Sequence, residues 1–304
     1  MRKLRNIRAR TEAIRPDSVH AAAVAQSDRH PLLNRLVVGF IALNAGFVAI
    51  FALLKPKAFD TVFTWAVLPP LHARFVGALY LWGTVLLIGA LLTRRHSVWW
   101  PATVATAIFT GFMGALTALN TEAFDWKLIA VKVWVLAYIA FPLSTAIVAW
   151  IYRRPVVSDS DGPKLLPLSA RVLQILAGLF LLIGLALLFA RETMVDAWPW
   201  KVSNGVAQFY AGPFVTLAWC AWAYSRRVAR DLAPFAVSMA TLGWVVVAIS
   251  TEKHKLFDSG RPVTWLWFVG FGGIGLFFTT ILVRRPIESR ATLALASNAV
   301  VTTR

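Results

Sequence analysis

At 304 residues, the chain is 58% hydrophobic and 15% charged, where water-soluble domains carry about 25% charged residues. That composition excludes an ordinary soluble domain. The net charge of +17 does not indicate nucleic acid, because the basic residues are scattered over short connections between apolar runs instead of forming one face.

Residues 1–34 read as a polar, basic cytoplasmic tail. Leu4, Ile7 and Ile14 offer too little apolar area to hold a surface helix on lipid, so disorder is expected. The first apolar run is already long enough to span, so no cleavable signal peptide is expected. Apolar runs then follow at 35–54, 75–93, 100–119, 129–151, 172–190, 207–225, 233–250 and 263–283. A spanning helix needs about 20 apolar residues. Backbone polar groups cannot go unpaired in hydrocarbon, so these runs must be helical. The expected fold is all-α, a polytopic membrane bundle of eight transmembrane helices.

Two longer connections, 55–74 and 191–206, carry aromatics and prolines, among them Phe59, Trp65, Pro69, Pro70 and Trp198-Pro199-Trp200. Tryptophan favours the headgroup zone, so both are expected to lie along the outer interface. The linker 152–170 is rich in Pro, Ser, Asp and Gly and breaks periodicity. It separates a first four-helix unit, 35–151, from a second, 171–285; residues 286–304 form a cytoplasmic tail.

The two units resemble each other. Ala73-Arg74-Phe75 and Ala207-Gln208-Phe209 open equivalent spans, and Pro101 and Pro234 begin the next. Asn120-Thr121-Glu122 matches Ser250-Thr251-Glu252; Phe124-Asp125 matches Phe257-Asp258; Trp134 matches Trp267. An even number of spans per unit brings both copies in from the same side, which predicts a tandem 4+4 parallel repeat.

With alternating spans, 21 Lys and Arg fall on one side and nine on the other, with Lys132 near the end of a span. The pairs Arg94-Arg95, Arg153-Arg154, Arg226-Arg227 and Arg284-Arg285 mark exits on the rich side. The bias places both termini in the cytoplasm, in a plasma membrane, the bacterial inner membrane fitting best. The expected partner is membrane lipid, with anionic headgroups on the cytoplasmic side. No nucleic acid is expected; a membrane-protein partner or a homo-oligomer is open.

Few residues suggest chemistry. Gly270, Gly272 and Gly275 spell G-x-G-x-x-G, but inside an apolar run with no preceding strand, so no dinucleotide site follows. Pro142 interrupts the fourth span, and Gly275, with Gly272 nearby, holds the matching place in the eighth. Paired interruptions can mark a central site in transporters. On the outer side, Glu122, Asp125, Glu252, Asp258, His72 and His254 could meet across an axis between the units. Such a set would bind a cation or cationic headgroup, or supply an acid/base pair. Its spacing matches no established ligand motif, so neither a metal nor a cofactor is expected. Cys220 is the single cysteine and reads as packing.

Three functions fit. One is a carrier or facilitator for a small apolar or amphipathic molecule. The others are an outer-face membrane enzyme using the carboxylate/His cluster, and a non-catalytic subunit of a membrane complex.

Overall fold

The computed structural model describes residues 30–62, 70–154 and 164–302. The basic tail before His30 and most of the linker therefore lie outside the described residues, as do Phe63, Trp65 and Pro69. Among the described residues the fold is helical, with α1 Leu32–Leu54, α2 Pro56–Val62, α3 Pro70–Leu92, α4 His96–Leu119, α5 Ile129–Ile151, α6 Pro167–Phe189, α7 Arg191–Ala197, α8 Asn204–Ser225, α9 Ala233–Glu252 and α10 Pro262–Thr302. Short 3-10 turns lie at Thr121–Ala123, Ala229–Leu232 and His254–Leu256.

Among the described residues, seven helices are long and apolar enough to cross a membrane: α1, α3, α4, α5, α6, α9 and α10. The expected sixth span, 207–225, falls within helix α8, which is less apolar than these seven and not among them. Its composition follows from its place. It packs against α6 and α4, and most of its residues are buried, from Val206 to Ser225. A helix enclosed by protein can carry Tyr210, Thr216 and Ser225 without presenting them to lipid. By contrast, α1, α5, α6 and α10 expose rows of large apolar side chains, such as Phe47, Leu136, Leu182 and Leu276.

The helices associate in pairs: α1 with α3, α4 with α5, α6 with α8, and α9 with α10. The pairs are joined through the centre, where α3 packs on α9 and α8 on α4. Lipid tails are as apolar as leucine, so close packing and interhelical hydrogen bonds hold such a bundle. Tryptophans supply several of those bonds. Trp100 Nε1 donates to Ala149 O at 2.9 Å, and Trp219 Nε1 to Pro101 O at 3.0 Å. Trp134 Nε1 donates to Thr117 Oγ1, and Trp267 Nε1 to Ser250 Oγ, each at 3.0 Å. In both cases the partners are 17 residues apart, and the second bond lies 133 positions after the first.

Polar joints close both ends of the bundle. At one end, Arg95 donates to both carboxylate oxygens of Asp231, at 2.5 and 3.3 Å, and the carboxylate is 1% exposed. Beside it the His30 Nδ1–H donates to Thr93 O at 3.1 Å, and Asn34 Nδ2 donates to His30 Nε2 at 2.6 Å. At the other end, Arg261 donates to the carbonyls of Trp198 and Asp196.

The structure refines the expected elements at three places. Trp198 and Trp200, in a segment expected to cap the bundle at the outer interface, are buried and packed edge-on against Phe75 and Trp267. Helix α3 starts at Pro70, so His72 and Arg74 belong to its first turns; proline suits that start because its missing N–H would be unpaired there anyway. At the far end, α10 runs past Arg284 to Thr302, through the region read as a tail.

Candidate functional site

A cavity of about 280 Å³ lies within the first four long helices, near the middle of α1, α3 and α5, with α8 contributing Pro213 and Thr216. Among the described residues, no charged side chain lines it. Its wall is mostly aromatic and aliphatic. Ala102, Ala105, Ala130, Ala137 and Gly83 face it, and these small residues leave the volume unfilled. A Cβ added to Gly83 would meet nothing within 4 Å.

The cavity opens sideways. Asn44 of α1 and Val133 of α5 both line it and both are exposed, so the mouth lies between those two helices. Phe40 and Phe141 meet edge-on at 6.0 Å between α1 and α5, on one side of that mouth. In a bilayer the mouth would face hydrocarbon.

Polar groups in the wall are few, and their bonds can be counted. Thr106, Thr110 and Thr216 donate to the carbonyls four residues back, at 2.9, 2.7 and 2.8 Å. Asn44 Nδ2 does the same to Phe40 O at 2.8 Å. The Tyr80 and Tyr138 hydroxyls are 2.6 Å apart, and both residues are only 8% exposed. Trp82, also in the wall, has a buried indole N–H with no acceptor among the described residues.

Pro142 shapes this region. It removes one backbone donor from α5 and leaves the Tyr138 carbonyl without its usual partner four residues on. Helix α4 approaches there: a Cβ on Gly114 would lie 2.6 Å from Tyr138 O. Ser144 and Thr145 donate to Phe141 O at 3.1 and 2.6 Å, so hydroxyls cluster around the interruption. Gly275 lies elsewhere, on α10 against Gly243 and the Trp244 ring, and a Cβ on Gly272 would meet Val247 at 3.9 Å. The interruptions thus face the partner helix within each pair, Pro142 in the α4–α5 pair and Gly275 in α9–α10.

The six outer polar residues separate into different settings. Glu122 is exposed on its turn. Asp125 and Asp258 are exposed and accept from the backbone N–H two residues on, at 3.0 and 2.9 Å. Glu252 pairs with Arg74 and with Lys253. With His254, whose Nδ1 is 3.1 Å from Thr251 O, these groups border a surface depression that also includes Lys57 and Lys255. The depression is therefore predominantly basic. Among the described residues no group of three His, Cys, Asp or Glu is placed to hold a metal ion.

His72 is not at that surface. It is 1% exposed and saturated with hydrogen bonds: Nδ1 accepts from the Tyr210 hydroxyl at 2.7 Å and from Trp200 Nε1 at 3.2 Å, and Nε2 donates to Lys201 O at 3.0 Å. It anchors the 198–201 segment to α3 and α8. Cys220 is fully buried, as packing requires.

Sequence alone does not single out Tyr80 and Tyr138. The available signal was two of the chain's five tyrosines lying mid-span in apolar runs.

An all-helical bundle with seven apolar, span-length helices defines a multi-pass membrane protein. No protein-family model and no curated protein matches this chain.

Proposed function

We propose that this protein binds a small apolar or amphipathic molecule inside the bilayer and acts as its carrier or facilitator. The single observation that carries the reading is the uncharged cavity opening sideways between α1 and α5. Ligand pockets span about 300–1,000 Å³, and this one lies at the small end. A lateral mouth suits a ligand arriving from lipid.

The architecture fits such a role as eight spans in a tandem 4+4 parallel arrangement. With 22 residues, α8 reaches about 33 Å at the helical rise, enough to cross. Exchanging the units turns the α1–α3 pair into α6–α8, α4–α5 into α9–α10, and the central contact α3–α9 into α8–α4. The matched Trp134 and Trp267 bonds and the matched Asp125 and Asp258 turns support a repeat offset of 133. On that register Glu122 corresponds to Lys255, so the Asn120-Thr121-Glu122 and Ser250-Thr251-Glu252 match drops out. The basic bias favours cytoplasmic termini in a bacterial plasma membrane, with anionic headgroups on that side.

The test uses protein reconstituted in vesicles and slow-crossing amphipathic fluorophores, short-chain lipid analogues among them. The expected result is faster transbilayer movement than in protein-free vesicles, lost in Gly83→Phe, whose ring would grow into the open space. Equal rates with and without protein would overturn the carrier reading.

A further inference from the structure

The hydrogen-bond inventory of the cavity limits what it can hold. The Tyr80 and Tyr138 hydroxyls bring two hydrogens and make one bond between them. Whichever donates, the other hydroxyl hydrogen has no protein acceptor among the described residues. Both residues are more than nine-tenths buried and both line the cavity. Leaving such a donor buried and unmet is unfavourable. The threonines do not relieve it, because each already donates to its own helix and none is bonded to either tyrosine. Among the described residues the wall therefore has two unmet donors, this hydroxyl hydrogen and the Trp82 indole N–H, and no charge; only the hydroxyl hydrogen belongs to a paired group that a single acceptor completes.

We infer that the cavity takes an uncharged, lipid-soluble molecule bearing a carbonyl oxygen, such as a ketone, quinone or ester, and that this oxygen accepts the free hydroxyl hydrogen of the Tyr80–Tyr138 pair. The inference rests on the cavity being a ligand site. A carbonyl presents acceptor lone pairs and no hydrogen, so it completes the pair without adding a donor of its own. An ionised ligand would have no counter-charge here, and burying a charge unpaired is strongly unfavourable. Trp134, Phe109 and Phe141 line the cavity with the tyrosines and suit a flat body.

The experiment compares two probes of one shape on the purified protein in detergent. These are 6-propanoyl-2-dimethylaminonaphthalene and its 6-propyl counterpart, which lacks the carbonyl oxygen. Binding is read by fluorescence, relative to partition into protein-free micelles. The propanoyl probe should bind about five- to tenfold tighter, the worth of one hydrogen bond. In the double variant Tyr80→Phe/Tyr138→Phe the preference should vanish while the propyl probe binds as before. Removing both hydroxyls together leaves no orphan, and an unchanged melting curve confirms that the variant folds. Propyl binding should be lost in Gly83→Phe.

Equal affinity of the two probes in the wild type would overturn the carbonyl assignment, as would a preference that survives the double variant. In either case propyl binding that disappears in Gly83→Phe leaves the cavity as a ligand site. Failure of both probes to bind the wild type would overturn the ligand site and the carbonyl assignment together.

Discussion

Gly243 of α9 and Gly275 of α10 stand back to back: a Cβ on Gly243 would lie 2.5 Å from the Gly275 nitrogen and 2.7 Å from its Cα. The residues 133 positions earlier are Thr110 and Pro142, and there α4 and α5 border the cavity. Two helix pairs of similar plan thus differ at one contact: glycines meet there in the α9–α10 pair, and Thr110 and Pro142 hold the corresponding places in the α4–α5 pair. Gly243→Ala should destabilise the protein by about 1–3 kcal/mol, because the obstructing atoms are backbone and cannot swing aside. Gly83→Ala should be neutral or slightly stabilising, having open space and better helix propensity. Thermal unfolding of the two variants in detergent checks the contrast.

The Arg95–Asp231 pair joins the start of α4 to the turn that opens α9. Breaking a buried pair from one side costs about 3–5 kcal/mol. The two sides are unequal, since Arg95 is 26% exposed and Asp231 1%. Arg95→Met strands a buried carboxylate, whereas Asp231→Leu leaves a guanidinium that can reach water. Arg95→Met should therefore be the more damaging, and the double variant should recover much of the loss. A double-mutant cycle on melting temperature measures both effects.

Burial, the largest influence, lowers His30 from its ordinary value to about 4; the bond to Thr93 opposes the shift and Arg35 adds to it. Above pH 6.5 the ring is neutral in folded and unfolded chains, so it contributes no pH dependence. Between pH 6.5 and 4 the unfolded chain takes up a proton and the folded one does not, so stability falls as pH falls. His30→Gln should flatten that slope. Melting temperatures from pH 7.5 down to 4.5 are the measurement.

The surface acids should matter least. Glu252 shares Arg74 with solvent, and Asp125 and Asp258 close exposed turns. Exposed ion pairs contribute little. Glu122→Gln, Asp125→Asn, Glu252→Gln and Asp258→Asn should each leave the melting curve and probe binding unchanged. Loss of binding in any of them would return attention to the outer end.

The apolar runs marked the long helices well, because lipid demands about 20 greasy residues per crossing. Helix α8 was the exception in composition, since protein and not hydrocarbon surrounds it. Trp198 and Trp200 read as interfacial because a tryptophan wants an apolar body and a polar tip; the protein packs both rings, Trp200 Nε1 donates to His72, and the Trp198 indole N–H has no acceptor among the described residues. The cavity was not legible. It depends on how far α1 stands from α5, and that spacing is set by packing across four helices and not by any local pattern. Nor does anything in one dimension show that Tyr80 and Tyr138 touch.

The modest apolarity of α8 has a consequence for biogenesis. A segment that leans on its neighbours for burial partitions weakly from the translocon on its own. Its most extensive neighbour is α6, which precedes it in the chain and is strongly apolar. Insertion as a hairpin, with α6 carrying α8 across, would spare the weaker segment a solitary exposure to lipid. Truncating the nascent chain before and after Ser225 in a glycosylation-mapping assay, with α6 present or deleted, would show that dependence directly.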